Sequence, residues 1–289
     1  MIRRWPWAVA GALILMIVLG FVIRNQVKVY RNRQAQEALS VQETLRRSLL
    51  TELQPVALKK CTLERFGEAN DGGYLMCANL LDGVEAGYSY GISGYDQWGC
   101  DISTKLNVPL HQYDCFDTRA PACPDGKTMF HAECVDGSKS TVEQRLFDSI
   151  ENQLAKNSDR EKRVVVKMDV EGAEWESLLA TSDDVLQRID QLAIEFHWIQ
   201  SAEGEWPFDR QYSLLIQRLK KHFHVAHLHF NNFSCIEGLE PFPAWAYEVL
   251  WVNKRIGFLD ESAPTPAPIS ALNAPAWPER PDCQLPSRS

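Results

Sequence analysis

The stretch that decides the fold is "RVVVKMDVEGAEWESLL", residues 163–179. It begins as a run of β-branched apolar residues and ends with Trp175, Leu178 and Leu179 at helical spacing. A short, unbroken apolar run of this kind reads as a strand buried on both faces, and the change of period behind it reads as a helix. Buried strand followed at once by helix is the unit from which parallel sheets are assembled. Asp169, Glu171 and Glu174 sit at the junction, with Lys167 just upstream.

Outward from this unit the alternation continues. "AGYSYGIS" from Ala86 reads as a first strand, followed by the glycine-rich "GYDQWG" and a short helix through Ile102 and Leu106. "VPLHQYDCFD" and "TMFHAECV" read as a second and a third strand. "STVEQRLFDSIENQLAK" then reads as a helix with Val142, Leu146, Ile150 and Leu154 on one face. After the opening stretch, "IDQLAIEFHW" is a fifth strand and "DRQYSLLIQRLKKHF" a helix. "VAHLHF" and "AYEVLWVNK" close the sheet as an antiparallel pair. The expected fold is α/β: a doubly wound, mostly parallel seven-stranded sheet, Rossmann-like, with an antiparallel edge strand.

The flanks differ from this body. Residues 1–33 hold six of the 30 Lys+Arg and no acid, which leaves 24 Lys+Arg against 38 Asp+Glu for the rest. So acidic a body disfavours nucleic acid as a partner, since phosphate binding needs the opposite field. Trp7 to Ile23 lacks charge, polar side chain and proline, with arginines on both sides. That run is expected to be an uncleaved single-pass membrane anchor, with the membrane as a partner through residues 7–23. The basic residues after it lean toward a cytosolic body. The eight cysteines, six of them between Cys61 and Cys134, lean toward disulfides in an oxidising compartment. Residues 34–60 carry a helical stripe (Ala38, Val41, Leu45, Leu49, Leu53, Val56) and form a stem. Residues 61–259 are the folded domain. Residues 260–289 hold seven of the 15 prolines and are expected to be a disordered tail. Oligomeric state is open.

In open α/β sheets, ligands bind outside the carboxyl ends of the strands, where the strand order reverses. Asp169 ends the fourth strand and therefore points into that crevice. Gly91, Gly94 and Gly99 follow the first strand and let backbone approach a ligand closely. Asp114 and Asp117 follow the second, where an acid is placed to bond ribose hydroxyls. Glu195 and His197, two apart on the fifth strand, project to one side. Glu171 and Glu174 open a helix, where carboxylates also favour the dipole, and Lys167 is placed to neutralise these acids. His229 and Asn231, after the sixth strand, are placed on the same side.

The opening stretch resembles the signature of FkbM-type methyltransferases, which use S-adenosylmethionine. Lys167, Asp169, Val170, Glu171, Gly172, Ala173 and Glu174 match its core residue by residue. "RFGEANDGGYLMC" (65–77), "YSYGIS" (88–93) and "IEFHW" (194–198) look like parts of a related, membrane-anchored methyltransferase-like family. The resemblance implies a cofactor site for S-adenosylmethionine around Tyr90, Gly91, Ser93, Gly94 and Asp114 or Asp117. It implies an acceptor side that includes Lys167, Glu171, Glu174, His229 and Asn231. The loop after the first strand departs from the family's Asp-x-Gly-Ala-Asn and reads Gly91-Ile92-Ser93.

Methyl transfer from a sulfonium mainly requires donor and acceptor in near-attack geometry. A hydroxyl acceptor also needs its proton taken by a base or its oxygen polarised by a metal. Asp169 is therefore the acceptor-orienting or metal-binding acid, and Glu195 or His197 the base. A metal is compatible with this set but is not predicted. The acceptor is a small molecule, glycan or lipid. Two other classes compete. One is a lumenal glycosyltransferase-like enzyme with Asp169 and Glu171 as a metal-binding pair; the other is an inactive, membrane-anchored binding domain.

Overall fold

A computed structural model of the chain describes residues 6–197, 210–264, 266 and 272–283. It divides into two compact units, Met1–Leu45 and Arg46–Ser289. In chain order the elements are α1 (Pro6–Glu52), β1 (Leu63–Phe66), β2 (Tyr74–Cys77), β3 (Ala86–Tyr90), α2 (Gln97–Leu106), β4 (Pro109–Tyr113) and β5 (Lys127–His131). They continue with β6 (Cys134–Val135), β7 (Ser140–Val142), β8 (Arg145–Asp148), α3 (Ile150–Lys156), β9 (Val164–Met168), α4 (Glu174–Ala180) and α5 (Asp183–Arg188). Last come β10 (Ile189–His197), α6 (Arg210–His222), β11 (Phe223–Phe230) and β12 (Ala246–Asn253).

The fold is mixed α/β around a mostly parallel seven-stranded sheet in the order β11-β12-β10-β9-β3-β4-β5. The opening stretch is its centre: β9 is buried at every position and lies between β3 and β10, parallel to both. The order reverses between β3 and β9, because β4 continues to one side and β10 to the other. Register then sets the site. Tyr90 pairs with Met168 and Met168 with Ile194, so the next residues, Asp169 and Glu195, fall side by side. Glu195 in turn faces Glu248 on β12.

Side-chain alternation sorts the two faces. Trp98 and Ile102 of α2 belong to one apolar cluster with Leu110, Val165, Ala193 and Leu250 from successive strands, and Met76 of β2 joins them. Gln191 docks β2 there by bonding the Cys77 backbone twice, at 2.9 Å each way. On the other parity, Trp175 of α4 stacks 4.5 Å from Phe196 and 4.3 Å from Tyr212 of α6.

Several expectations change. The antiparallel strand is β12, which lies inside the sheet between β10 and β11 rather than at its edge. The helix expected over 140–156 begins only at Ile150. Glu143 and Gln144 adopt positive φ (49° and 66°) and turn β7 back on β8, and Ser149 caps the shortened helix. Val142 and Leu146 are consequently exposed, while Ile150 and Leu154 are buried. In the stripe at 38–56, Leu49 and Leu53 are core residues whereas Val41 is exposed.

The single-pass membrane expectation is overturned: among the described residues, no helix is long and apolar enough to cross a membrane. α1 runs on through Arg24, Lys28, Arg31 and Arg33.

Part of the segment after 260 packs on the body. Residues 272–283 lie along the body as a strap. Asn232 grips it through Trp277 N, Trp277 O and Arg280 O at 2.8–2.9 Å. Asn70 bonds Pro275 O at 2.9 Å, and Cys283 is disulfide-bonded to Cys235. The other cysteines pair as Cys61–Cys77, Cys100–Cys123 and Cys115–Cys134, leaving none free. Four such bonds persist in oxidising surroundings, against the cytosolic lean of the basic flank.

Candidate functional site

Two cavities open at the carboxyl end of the sheet. One, of about 220 Å³, is lined by Gly91, Ser93, Tyr113, Asp114, Phe116, Val135, Phe147 and Ala173 among others. The second, of about 260 Å³, is lined by Asp71, Glu195, His197, Asn231, Trp245, Ala276 and neighbours. Asp169 and Glu171 belong to both. Among the described residues, no Lys or Arg lines either one.

The turn after β3 is built around Gly91. Its φ is +71°, and a Cβ there would come within 1.6 Å of the Asp169 carbonyl oxygen. The close approach is stitched from both sides, since Asp169 N donates to Tyr90 O (3.2 Å) and Gly91 N to Tyr113 O (3.0 Å). Lys167 Nζ donates to Gly91 O at 2.7 Å and stands 3.4 Å from Asp169 Oδ2. Lys167 is thus a buried strut behind Asp169, not a lining residue.

Asp114 fixes the same turn. Its Oδ2 accepts from Ile92 N (3.1 Å) and Ser93 N (2.8 Å), and its Oδ1 from Phe116 N (2.8 Å) and Asp117 N (3.0 Å). All four acceptor positions of the carboxylate are taken by backbone. The acid expected to grasp ribose is therefore committed to the loop. Asp117 turns outward to Arg119, whose hydrogen bonds hold its carboxyl down at about 2, and lines neither cavity. Gly94 packs beside it and is not a lining residue. Tyr90 contributes its backbone only; its ring is stacked 5.1 Å from Tyr113 within the core.

Around the second cavity the acids converge. Tyr74 Oη donates to Asp169 Oδ2 (3.1 Å) and reaches Glu195 Oε2 (3.4 Å), while Asn231 Nδ2 donates to Glu195 Oε1 at 2.7 Å. His197 Nε2 stands 3.8 Å from Glu195 Oε1, 3.9 Å from Asp169 Oδ1 and 3.7 Å from Glu171 Oε2. Its Nδ1 lies 3.4 Å from Glu174 Oε1. Glu174 is fully buried and structural: it accepts from His197 N (2.5 Å) and Gly172 N (2.8 Å), tying the start of α4 to the end of β10. Trp175 Nε1 closes the same joint on His197 O at 2.6 Å.

The electrostatics follow from burial. Desolvation, then the charges of Asp169 and Glu248, push the Glu195 carboxyl well above its usual range. Asp71 is raised for the same reasons, burial first and Asp169 next. Burial opposes charge on His197, but Glu174, Glu195 and Asp169 outweigh it and lift the imidazole to about 9. Tyr74, desolvated and facing two acids, is held protonated and so remains a donor. Glu171, 82 % exposed, adopts a left-handed backbone (φ 54°), the kind of strain that gathers at functional sites.

Of the residues singled out in the sequence, the structure brings Asp169, Glu171, Glu195, His197 and Asn231 to one cavity, and Gly91, Ser93 and Asp114 to its neighbour. His229 lines neither: it lies between Glu248 (3.3 Å) and Asp282 of the strap (3.4 Å). Trp198 falls outside the described residues. Tyr74, Asp71, Trp245 and Ala276 were not anticipated. Tyr74 and Asp71 stand in the quoted "RFGEANDGGYLMC", whose resemblance to a family motif was the available signal.

Scans against protein-family models and against curated proteins give no match. Among solved structures, the chain is similar to a Listeria monocytogenes protein proposed to be an S-adenosylmethionine-dependent methyltransferase. That similarity has 10% identity and a TM-score of 0.30, and covers 58% of this chain and 91% of that one. A likeness this slight has no bearing on mechanism.

Proposed function

We propose that the chain is an S-adenosylmethionine-dependent methyltransferase of doubly wound fold, acting on a hydroxyl of a small-molecule, glycan or lipid acceptor. The observation that carries this reading is the shared wall: one carboxylate, Asp169, borders both the cavity at the Gly91 turn and the cavity holding Glu195 and His197. Two reactants that must meet at one atom pair call for adjoining compartments of this kind. The lining chemistry suits the donor, because the described lining residues are acids and aromatics without Lys or Arg, which favours a cation such as a sulfonium. A nucleotide sugar brings a diphosphate, for which charge-assisted donors are the usual partners.

Bound S-adenosylmethionine would supply an activated methyl group. The residues for holding it are the turn at Gly91–Ser93, Phe116 and Val135, with Asp114 keeping that turn in shape. Asp169 orients the acceptor hydroxyl, and Glu195 or His197, once it has lost its own proton, receives the hydroxyl's. Tyr74 and Asn231 fix the two carboxylates, and Trp245 and Ala276 limit access of water. Calorimetry of the full chain tests this: S-adenosylhomocysteine should bind, and UDP-sugars with Mn²⁺ should not. Binding of the UDP-sugar alone would overturn it in favour of a glycosyltransferase.

A further inference from the structure

We infer that Asp169, Glu195 and His197 form a binding site for one divalent cation of the Mn²⁺ or Mg²⁺ class, with its open positions facing the acceptor. This deepens the methyltransferase reading and rests on it for the identity of the acceptor, though not for the site itself.

Three observations point the same way. The ligand atoms converge: one atom from each residue lies within 4.8 Å of the other two. His197 Nε2 is 3.9 Å from Asp169 Oδ1 and 3.8 Å from Glu195 Oε1. Atoms bound about 2.0–2.4 Å from a shared ion stand roughly 3–4 Å apart, so the set closes on an ion with small side-chain movements. Next, His197 is more than a neighbour of acids. Its side chain is 7 % exposed, and Nε2 is turned toward the cavity's carboxylates. A buried imidazole with one nitrogen aimed at carboxylates and the other backed by a buried acid, Glu174 at 3.4 Å, has the layout of a metal-ligating histidine and its outer-shell carboxylate. Finally, the other two ligands have supports of their own, Asn231 on Glu195 and Tyr74 between Glu195 and Asp169.

Ligand chemistry narrows the ion. Two carboxylates and no thiolate disfavour soft metals and suit a hard ion such as Mn²⁺ or Mg²⁺, with the imidazole favouring Mn²⁺ of the two. A hard-to-borderline ion in this place would lower the pKa of a hydroxyl bound to it.

The test is Mn²⁺ titration of the full chain, followed by loss of the free-ion electron paramagnetic resonance signal. One ion per chain is expected, displaced by excess Mg²⁺. His197→Gln and Glu195→Gln should each weaken it at least tenfold, Asn231→Ala by about tenfold, and the exposed Glu261→Gln not at all. S-adenosylhomocysteine binding in EDTA, measured in parallel, reports on the donor cavity alone. A folded wild-type chain that binds S-adenosylhomocysteine but no Mn²⁺ sinks the metal site and leaves the methyltransferase reading standing. Undiminished Mn²⁺ binding by His197→Gln also sinks it. Stoichiometric Mn²⁺ without S-adenosylhomocysteine upholds the site and removes the reading.

Discussion

Asp114 reaches back across the sheet to hold the Ser93 backbone, 21 residues earlier in the chain, at 2.8 Å. The same carboxylate accepts three further backbone hydrogen bonds, which makes it the clasp of the Gly91 turn. Hydrogen bonds to a charged acceptor contribute about 1.5–3 kcal/mol each and are not additive, so Asp114→Ala should cost about 3 kcal/mol. In a body of this size that lowers Tm by about 6–12 °C. Urea unfolding measures it; a loss below about 0.5 kcal/mol would mean the carboxylate is free to hold a ligand instead.

Asp169 behaves oppositely. It is only partly buried and stands among like charges, Glu195 and Asp71 with it. Asp169→Asn relieves that repulsion, so stability should stay within about 1 kcal/mol of wild type, or rise. Turnover should fall by at least about 100-fold. A strongly destabilised Asp169→Asn protein with normal specific activity would make this acid structural.

Tyr74 offers a finer probe, since a single oxygen bridges the two acids. Tyr74→Phe keeps the ring and removes the bridge. Activity should drop by about 10- to 100-fold, with the unfolding midpoint nearly unchanged. Full activity in this variant would show that Asp169 and Glu195 need no such support.

Acid should weaken the fold through His111. Burial, with help from His131 and Lys162, lowers its pKa to about 4, although Asp159 at 3.2 Å pulls the other way. The folded value thus lies below the unfolded value of about 6.5. Below pH 6.5 the unfolded chain takes up a proton that the folded chain declines until about pH 4. The contribution is therefore complete above pH 6.5 and disappears as pH falls through that window. His227, also lowered to about 4 chiefly by burial, adds in the same direction. Between pH 7 and 4, the slope of unfolding free energy against pH should be smaller by about one proton in His111→Asn than in wild type.

The strap depends on its disulfide. Cys235 and Cys283 are separated by 48 positions, and closing a loop of that length is worth about 4 kcal/mol in the chain-entropy account. The double variant Cys235→Ser, Cys283→Ser should lose about 2–4 kcal/mol and show faster hydrogen exchange in 226–234. Alkylation of the untreated protein should label no thiol. A labelled cysteine, or unchanged exchange, would argue against the pairing.

The sheet was legible because β9 and β10 advertise themselves: short apolar runs, 164–166 and 192–194, flanked by charge. Asp169, Glu195 and His197 could be placed by strand position alone, as alternation and the carboxyl-end rule need no tertiary detail. Asp114 could not, for its type and position fit ribose binding as well as loop clasping, and only the donors around it decide. The helix over 140–156 failed because apolar spacing outweighed a turn that its residues do not signal; neither Glu143 nor Gln144 is a usual left-handed residue. Tyr74 was hidden because it arrives on a hairpin docked from outside the main sheet. The strap was missed because its proline content speaks against helix and strand, yet it is held by Asn232 and a disulfide, neither of which demands regular structure.

Ala276, in the wall of the second cavity, is supplied by nearly the last described part of the chain. A ribosome releases Asp169, Glu195 and His197 long before it releases the strap, and Cys283 must still find Cys235 by oxidation. The nascent protein therefore passes through a stage with its sheet complete and its acidic centre open to bulk solvent. Maturation of the site follows synthesis of the strap and depends on the redox state it meets.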